Sequence, residues 1–124
     1  MRATITANDV MHAAEASATA ATKLGALPRW NLADLYAAPD APQLKADLAA
    51  AAKASSDLRS RYQGRLAELV EGGTRLAEAI AAYESLQDKL GRIGSYAVLH
   101  YSGNRSDPER AKFFGDMQER LTTI

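Results

Sequence analysis

The chain has 124 residues, with 15 basic and 15 acidic side chains that cancel, and it contains no cysteine. The charges are interspersed, so the sequence lacks the basic run or face of a nucleic-acid-binding protein. The lack of cysteine excludes a disulfide framework, a cysteine-based zinc site and a thiol nucleophile. No window approaches the ~18 consecutive apolar residues of a membrane span. We therefore expect a soluble cytoplasmic protein with no nucleic-acid or membrane partner.

Alanine dominates the apolar composition. Hydrophobic residues make up 47% of the chain, but 26 of them are alanine. Alanine favours helices and adds little area to a core. The composition therefore indicates a thin array of helices within one domain rather than a thick multilayer structure.

Residues 1–26 are the least informative segment. Asn8 or Asp9 is suited to cap a helix that runs to Ala21, and Gly25 is suited to end it. The segment has few large apolar side chains and lacks the apolar core of a secretory signal. It is therefore predicted to be an N-terminal tail or a loosely packed helix.

Residues 27–36, which read LPRWNLADLY, combine a proline, a helix cap and two aromatic residues. Asn31 is a good N-cap for a short turn at 31–36, and Trp30 before it is placed to pack on Leu35. This hydrophobic-staple arrangement predicts that Trp30 is a buried core anchor. A ligand-stacking role for Trp30 is the alternative.

A helix is predicted over residues 41–63. Asp40 followed by Gln43 is an acidic variant of the capping box, Pro42 is tolerated in the first turn, and Gly64 is a natural residue to end the helix. The predicted buried face consists of Leu44, Leu48, Ala51, Ser55, Leu58 and Tyr62. This face is rich in small residues, which permits a neighbouring helix to approach closely.

The longest predicted element is a helix over residues 74–102. It follows a break at Gly72 and Gly73 and one or two helical turns at 65–71. Its apolar residues recur every three or four positions, at Leu76, Ile80, Tyr83, Leu86, Leu90, Ile93, Ala97 and Tyr101. Because 29 helical residues span about 43 Å, an apolar stripe of this length needs other helices packed along it.

Two glycines interrupt the long helix. Gly91 and Gly94 each cost about 1 kcal/mol relative to alanine in a helix interior, and they lie near one side of it. They predict a close helix crossing or a local kink. A ligand that approaches the backbone is the alternative.

The last predicted helix covers residues 107–124. Ser106 is the expected N-cap, and Glu109 three residues later lies near the positive end of the helix. The apolar face consists of Phe113, Phe114, Met117, Leu121 and Ile124. The pattern still continues at Ile124, so we expect the chain to be the N-terminal piece of a longer protein. The isolated segment is then expected to expose an apolar patch near its C-terminus.

The sequence contains no recognisable catalytic or metal-binding constellation. His12 and His100 are far apart and lack the neighbouring donors of a zinc site. The motifs GxGxxG, GxxxxGK[ST], GxSxG and HExxH are absent. Glu84, Asp88 and Arg92 are expected to form only surface ion pairs. We therefore predict no catalytic, cofactor-binding or metal-binding residue in this segment.

A series of short motifs carries a family resemblance. In chain order they are Leu27-Pro28-Arg29-Trp30, Leu32-Ala33-Asp34-Leu35-Tyr36, Tyr83-Glu84, Ser95-Tyr96-Ala97, Tyr101 and Ser106-Asp107-Pro108. With these motifs, residues 27–124 resemble the start of oligoendopeptidase F, which belongs to the thimet-oligopeptidase-like zinc metallopeptidases. Asn31 stands where the family pattern has an aspartate, and both residues cap helices well.

The resemblance implies a mostly helical enzyme with a deep cleft, which hydrolyses short peptides at a zinc site. In such an enzyme two histidines and one glutamate hold Zn²⁺, and the glutamate within HExxH deprotonates the bound water. These residues would lie far downstream, so the segment alone would bind no zinc and would be inactive. Its helices would form part of the wall that restricts access to the cleft.

The predicted organisation is therefore a tail at 1–26 and a helical N-terminal domain at 27–124. The fold class is all-α, with antiparallel helical hairpins or a bundle around one long central helix, incomplete without the downstream catalytic domain. That domain is expected to pack on the 107–124 helix, and an oligopeptide is the expected substrate of the parent enzyme. Two alternatives remain open: a free-standing interaction module that dimerises through the alanine-rich 44–62 face, and a helical scaffold or regulator.

Overall fold

The computed structural model describes residues 28–124 of the chain. They form three α-helices, α1 (Pro42–Tyr62), α2 (Thr74–Ser102) and α3 (Pro108–Thr123), with a 3₁₀ helix (Leu66–Gly72) between α1 and α2. No strand occurs within these residues, which confirms the all-α prediction. The helix proposed for the N-terminal tail, and His12 within it, lie outside the described residues.

Helix α1 matches its predicted bounds to within one residue at each end. The predicted Asp40–Gln43 capping box is wrong, because Ala41 is the N-cap residue and no side chain caps this end. Gln43 instead donates a hydrogen bond from Nε2 to Asp47 Oδ1 at 2.9 Å, one turn further along the helix. Gly64, with a φ of 75°, follows the end of the helix as predicted.

Helix α2 has the predicted bounds and packs against both α1 and α3. Leu44 and Leu48 of α1 and Met117 of α3 enter one core cluster with the C-terminal half of α2. The buried members of this cluster are Tyr36, Ala41, Leu44, Leu48, Ile93, Tyr96, Ala97 and Met117. Leu44, Leu48 and Ala51 of the predicted face of α1 are buried, as are Leu86, Ile93 and Ala97 of the predicted stripe of α2. The predicted stripe is wrong at Ile80 and Tyr83, which are 49% and 54% exposed, and Ala79 is the buried residue at that end of α2.

The N-cap residue of helix α3 lies one position later than predicted. Asp107, not Ser106, is the N-cap residue, and its Oδ1 accepts hydrogen bonds from the backbone N–H groups of Glu109 at 2.9 Å and Arg110 at 3.3 Å. The reason is Pro108, which favours an extended residue before it and itself occupies the first helical position. Asp107 is accordingly extended, with φ −82° and ψ 115°.

The apolar face of α3 is covered by its own chain. Met117 is buried, and Phe113, Phe114, Leu121 and Ile124 are half-buried against the core cluster. The expected apolar patch near the C-terminus is therefore wrong. The prediction assumed mostly alanine opposite α3, but aromatic residues of α2 supply large partners. The ring of Tyr101, for example, stacks on Phe114 at 5.1 Å between centroids.

The predicted burial of Trp30 is also wrong, since 65% of this residue is exposed. Asn31 does cap the following turn, because its Oδ1 accepts a hydrogen bond from the N–H of Ala33 at 3.0 Å. The turn closes when the N–H groups of Leu35 and Tyr36 donate to Leu32 O at 2.9 and 3.0 Å. The anchor of this segment is Tyr36, which is only 2% exposed.

Gly91 and Gly94 differ in their surroundings, so the predicted close helix crossing applies to only one of them. A Cβ on Gly94 would lie 3.7 Å from Leu121 Cδ1 of α3, so this glycine does face a helix crossing. A Cβ on Gly91 would meet nothing within 4 Å, so the crossing does not explain this glycine.

We accordingly expect Gly91→Ala to raise the free energy of unfolding by about 0.5–1 kcal/mol, because alanine has the higher helix propensity and no neighbour is displaced. In Gly94→Ala the added methyl group makes only ordinary van der Waals contact with Leu121, so this variant should raise the free energy of unfolding by a similar amount. Gly94→Leu should destabilise, because its larger side chain displaces Leu121. Urea denaturation of the three variants measures these differences, and a loss of stability in Gly91→Ala would contradict the assignment.

Among residues 28–124, none of the helices combines the length and the hydropathy that a bilayer crossing requires.

Candidate functional site

A cleft of about 750 Å³ lies between the segment 28–39 and the C-terminal end of α2. Trp30, Tyr36 and Pro39 line it from the segment, and Tyr96, Leu99 and His100 line it from α2. Asn104 and Arg110 complete the wall where α2 turns into α3. We call this space the Trp30 cleft, and aromatic and polar side chains meet in its walls, as they do in ligand sites.

Arg92 holds the segment that forms one wall of the Trp30 cleft. Its Nη2 donates hydrogen bonds to the carbonyl oxygens of Leu35 at 2.6 Å and Asp34 at 3.3 Å. The guanidinium carbon lies 4.8 Å from the ring centroid of Tyr36, a cation–π contact. Nη1 lies 3.9 Å from Asp47 Oδ2. Arg92 therefore ties the segment to α1 and α2 instead of forming the predicted surface pair with Asp88.

Tyr36 forms the floor of this arrangement. Its hydroxyl donates a hydrogen bond to Asp47 Oδ2 at 2.8 Å, and its ring meets the ring of Tyr96 edge-on at 5.4 Å between centroids. Burial, and then the hydrogen bond to Asp47, raises the pKa of Tyr36 to about 12. The phenol thus stays protonated at neutral pH and acts as a structural donor.

His100 is the histidine of the Trp30 cleft. Its ring stacks on Tyr96 at 5.7 Å and meets Phe113 edge-on at 5.6 Å between centroids. Burial, followed by the charge of Arg110, lowers the pKa of His100, while Asp107 acts in the opposite direction. Arg110 Nη1 also donates a hydrogen bond to the carbonyl oxygen of His100 at 2.9 Å. The imidazole is therefore neutral at physiological pH.

We expect the fold to lose stability as pH falls because of His100. Above its ordinary pKa of about 6.5 the histidine is neutral in both the folded and unfolded states, so pH has no effect through this group. As pH falls through that value, the unfolded state takes up a proton first, and the free energy of unfolding decreases until the folded state is protonated too.

Denaturant titrations at pH 7.5 and pH 5, in a His12→Gln background that removes the second histidine, measure this effect. His100→Gln should reduce the difference in the free energy of unfolding between the two pH values. An unchanged difference would contradict the lowered pKa of His100.

The described walls of the cleft offer contact surfaces for a ligand. Nucleophilic catalysis needs a nucleophile hydrogen-bonded to a base that a third group orients, and no hydrogen bond within residues 28–124 joins the imidazole of His100 to such a nucleophile. No three histidine, aspartate or glutamate side chains of the described residues come together as they would around a metal ion. Exposed Trp30 and the aromatic wall offer stacking surfaces, and Asn104 offers polar contacts.

A second groove, of about 950 Å³, lies between α1 and α3. Small side chains such as Ala49, Ala52 and Ser56 line it on α1, and the charged residues Asp116 and Glu119 line it on α3. Ser55 Oγ donates a hydrogen bond to the carbonyl oxygen of Ile124, which ties the two helices together at one end. No cluster of functional side chains converges on this groove.

Sequence reasoning assigned no site residue, and it missed the Trp30 cleft. Arg92 and the backbone it holds are 57 positions apart, so no local pattern signals their contact. The one available signal was Trp30 itself, for which ligand stacking was the alternative to burial. Its exposure at the edge of an aromatic cleft favours that alternative.

Comparison with protein-family models, with curated proteins and with solved structures finds no match for this chain.

Proposed function

We propose that this chain is the N-terminal helical domain of a cytoplasmic, zinc-dependent oligoendopeptidase that hydrolyses short peptides. In this proposal the domain helps to wall the substrate cleft and supplies no catalytic residue. The observation that carries the proposal is that two motifs of the family resemblance, which are distant in the sequence, contact each other through Tyr36 and Tyr96.

These contacts support the proposal as follows. Tyr36, from the second motif, packs edge-on against Tyr96 of the fourth at 5.4 Å. Tyr101 stacks on Phe114 of α3, whose N-terminus Asp107 caps. A family pattern made of residues that hold one another in place is what a shared domain requires, because such residues determine packing.

The described residues do not fit a zinc ion. His100 is enclosed by aromatic rings and has no second histidine or carboxylate grouped with it for metal binding, whereas a catalytic zinc site needs three protein ligands. No chemical step is therefore assigned to residues 28–124. In the proposed enzyme the ligands come from the downstream catalytic domain.

The purified 124-residue chain is accordingly expected to bind no stoichiometric Zn²⁺ and to hydrolyse no peptide. Calorimetric titration with zinc, and an assay with short fluorogenic peptides, measure the two properties. One tight zinc per chain that is lost in His12→Ala or His100→Ala would overturn the proposed division between this domain and the catalytic domain.

The downstream domain is proposed to complete the helical bundle around α2. The inward face of α3 is already occupied, so the contact proposed for the 107–124 helix would use its outer, charged face. The reading frame beyond codon 124 tests this proposal directly. An HExxH motif several hundred codons later supports it, and a stop codon or an unrelated domain contradicts it.

A free-standing helical interaction module is the second candidate. The predicted dimerisation through the alanine-rich face of α1 is wrong, because Leu44, Leu48 and Ala51 of that face are buried within the chain. The observation in favour of this candidate is instead a group of exposed large apolar residues at the N-terminal half of α2.

A further inference from the structure

The charged side chains that line the Trp30 cleft are both cationic. They are Arg29 and Arg110, and no aspartate or glutamate of the described residues lies in the wall with them. Trp30, 65% exposed, presents its indole ring at the same cleft. The volume of about 750 Å³ is of the size that holds small ligands. These walls favour an anion that also carries a flat apolar group.

Arg110 is held in place before any ligand binds. Its Nη1 donates a hydrogen bond to the carbonyl oxygen of His100 at 2.9 Å, and its Nε lies 3.5 Å from Asp107 Oδ2. Gly103 leaves room for it, because a Cβ at that position would lie only 3.0 Å from Nη1. Nη2 makes no hydrogen bond within residues 28–124. An oriented guanidinium loses little side-chain entropy when it binds an anion.

Asn104 adds a second donor to the same wall. Its Oδ1 accepts a hydrogen bond from the backbone N–H of Ser106 at 3.3 Å. The acceptor end of the amide is thus engaged within the turn, and the Nδ2 group keeps its two N–H donors for a ligand. Asn104 and Arg110 together make this wall of the cleft rich in donors.

The surroundings favour a carboxylate over a phosphate. Backbone N–H groups at a helix N-terminus commonly bind phosphate, but at the start of α3 those of Glu109 and Arg110 already donate to Asp107 Oδ1. Asp107 beside Arg110, and exposed Asp40 next to Pro39 of the wall, would repel a second negative charge. A singly charged carboxylate is therefore the better match.

We propose that the Trp30 cleft binds the C-terminal aromatic residue of a short peptide. The terminal carboxylate accepts hydrogen bonds from Arg110 and Asn104, and the aromatic ring packs on Trp30. The site for an aromatic carboxylate rests on the cleft alone, whereas the choice of a peptide as its source rests on the proposed peptidase function.

The fluorescence of Trp30 measures binding at the site itself, because Trp30 is the only tryptophan of the chain. N-acetylphenylalanine, which carries the carboxylate and the ring, should change the emission with a Kd of about 0.1–1 mM. N-acetylphenylalanine amide lacks the carboxylate, and N-acetylalanine lacks the ring. Each of these two should bind at least ~10-fold more weakly.

Arg110→Gln and Arg120→Gln form a matched pair, because both remove one positive charge from α3. Arg120 lines the groove between α1 and α3 instead of the Trp30 cleft. Arg110→Gln should weaken binding of N-acetylphenylalanine by about 10-fold or more, and Arg120→Gln should leave it unchanged. Gly103→Ala keeps every charge but takes the space beside Nη1, so it should weaken binding by roughly 3-fold. Circular dichroism should show the same helix content in all variants.

The tripeptide Gly-Gly-Phe and free phenylalanine identify the source of the carboxylate. The tripeptide should bind as tightly as N-acetylphenylalanine, and free phenylalanine should bind more weakly because its ammonium group is repelled by the arginines. Preference for free phenylalanine over the tripeptide would overturn the peptide as the ligand.

Three results would overturn the site for an aromatic carboxylate. They are an unchanged emission up to ~10 mM N-acetylphenylalanine, equal binding of the amide, and full binding by both Arg110→Gln and Gly103→Ala. None of them bears on the peptidase proposal, which depends on the downstream reading frame. A stop codon in that frame would in turn leave the aromatic carboxylate site intact.

Discussion

Ile93→Ala is expected to lower the free energy of unfolding by about 2–5 kcal/mol. Ile93 is fully buried in the middle of α2, in the cluster that also contains Leu48 of α1 and Met117 of α3. Truncation removes the favourable burial of the side chain and leaves a cavity between α2 and the two helices packed against it. This loss is a large share of the ~5–15 kcal/mol of an ordinary domain.

Thermal unfolding followed by circular dichroism measures this loss, and a substantial fall in the melting temperature is expected. Val98→Ala is the control on the same helix, because Val98 is 44% exposed, and it should change stability by no more than ~0.5 kcal/mol. Equal effects of the two substitutions would mean that α2 is not packed as described.

Tyr36→Ala is expected to cost about 3–5 kcal/mol, as for other buried aromatic residues. It removes the edge-on contact with Tyr96, the cation–π contact with Arg92 and the hydrogen bond to Asp47. The segment 28–41 then loses its anchor, so protease cleavage in this segment should precede global unfolding.

Tyr36→Phe separates the hydroxyl from the ring. It should cost only about 1 kcal/mol, since Asp47 keeps its hydrogen bond from Gln43 and its proximity to Arg92. Denaturant unfolding compares the two variants. If Tyr36→Phe is as destabilising as Tyr36→Ala, the hydrogen bond rather than ring packing holds the segment.

The sequence predicted the helices well because their signals are local. The spacing of Leu44, Leu48 and Ala51 determines the buried face of α1, and glycines at 64 and 73 mark the breaks around the 3₁₀ helix. Ser106 was wrong as the N-cap because Pro108, two positions further on, occupies the first helical position and makes Asp107 the N-cap. This effect is also local, so the sequence contains the signal for it.

The Trp30 cleft was not predictable, because long-range contacts decide it. The staple pattern placed Trp30 in the core, whereas the volume near α1 and α2 is filled by Tyr36 with Arg92 above its ring. Both aromatic residues of the segment 27–36 are plausible anchors in the sequence. Which of them is buried depends on Asp47 and Arg92, which lie on two other elements.

The most direct test of the peptidase proposal is hydrolysis by the full reading frame that contains this chain. The purified product should contain about one zinc per chain, cleave short peptides and spare folded proteins. Chelation should abolish cleavage, and added Zn²⁺ should restore it. A full-length product that binds no zinc, or whose peptide hydrolysis survives complete chelation, would contradict the proposal.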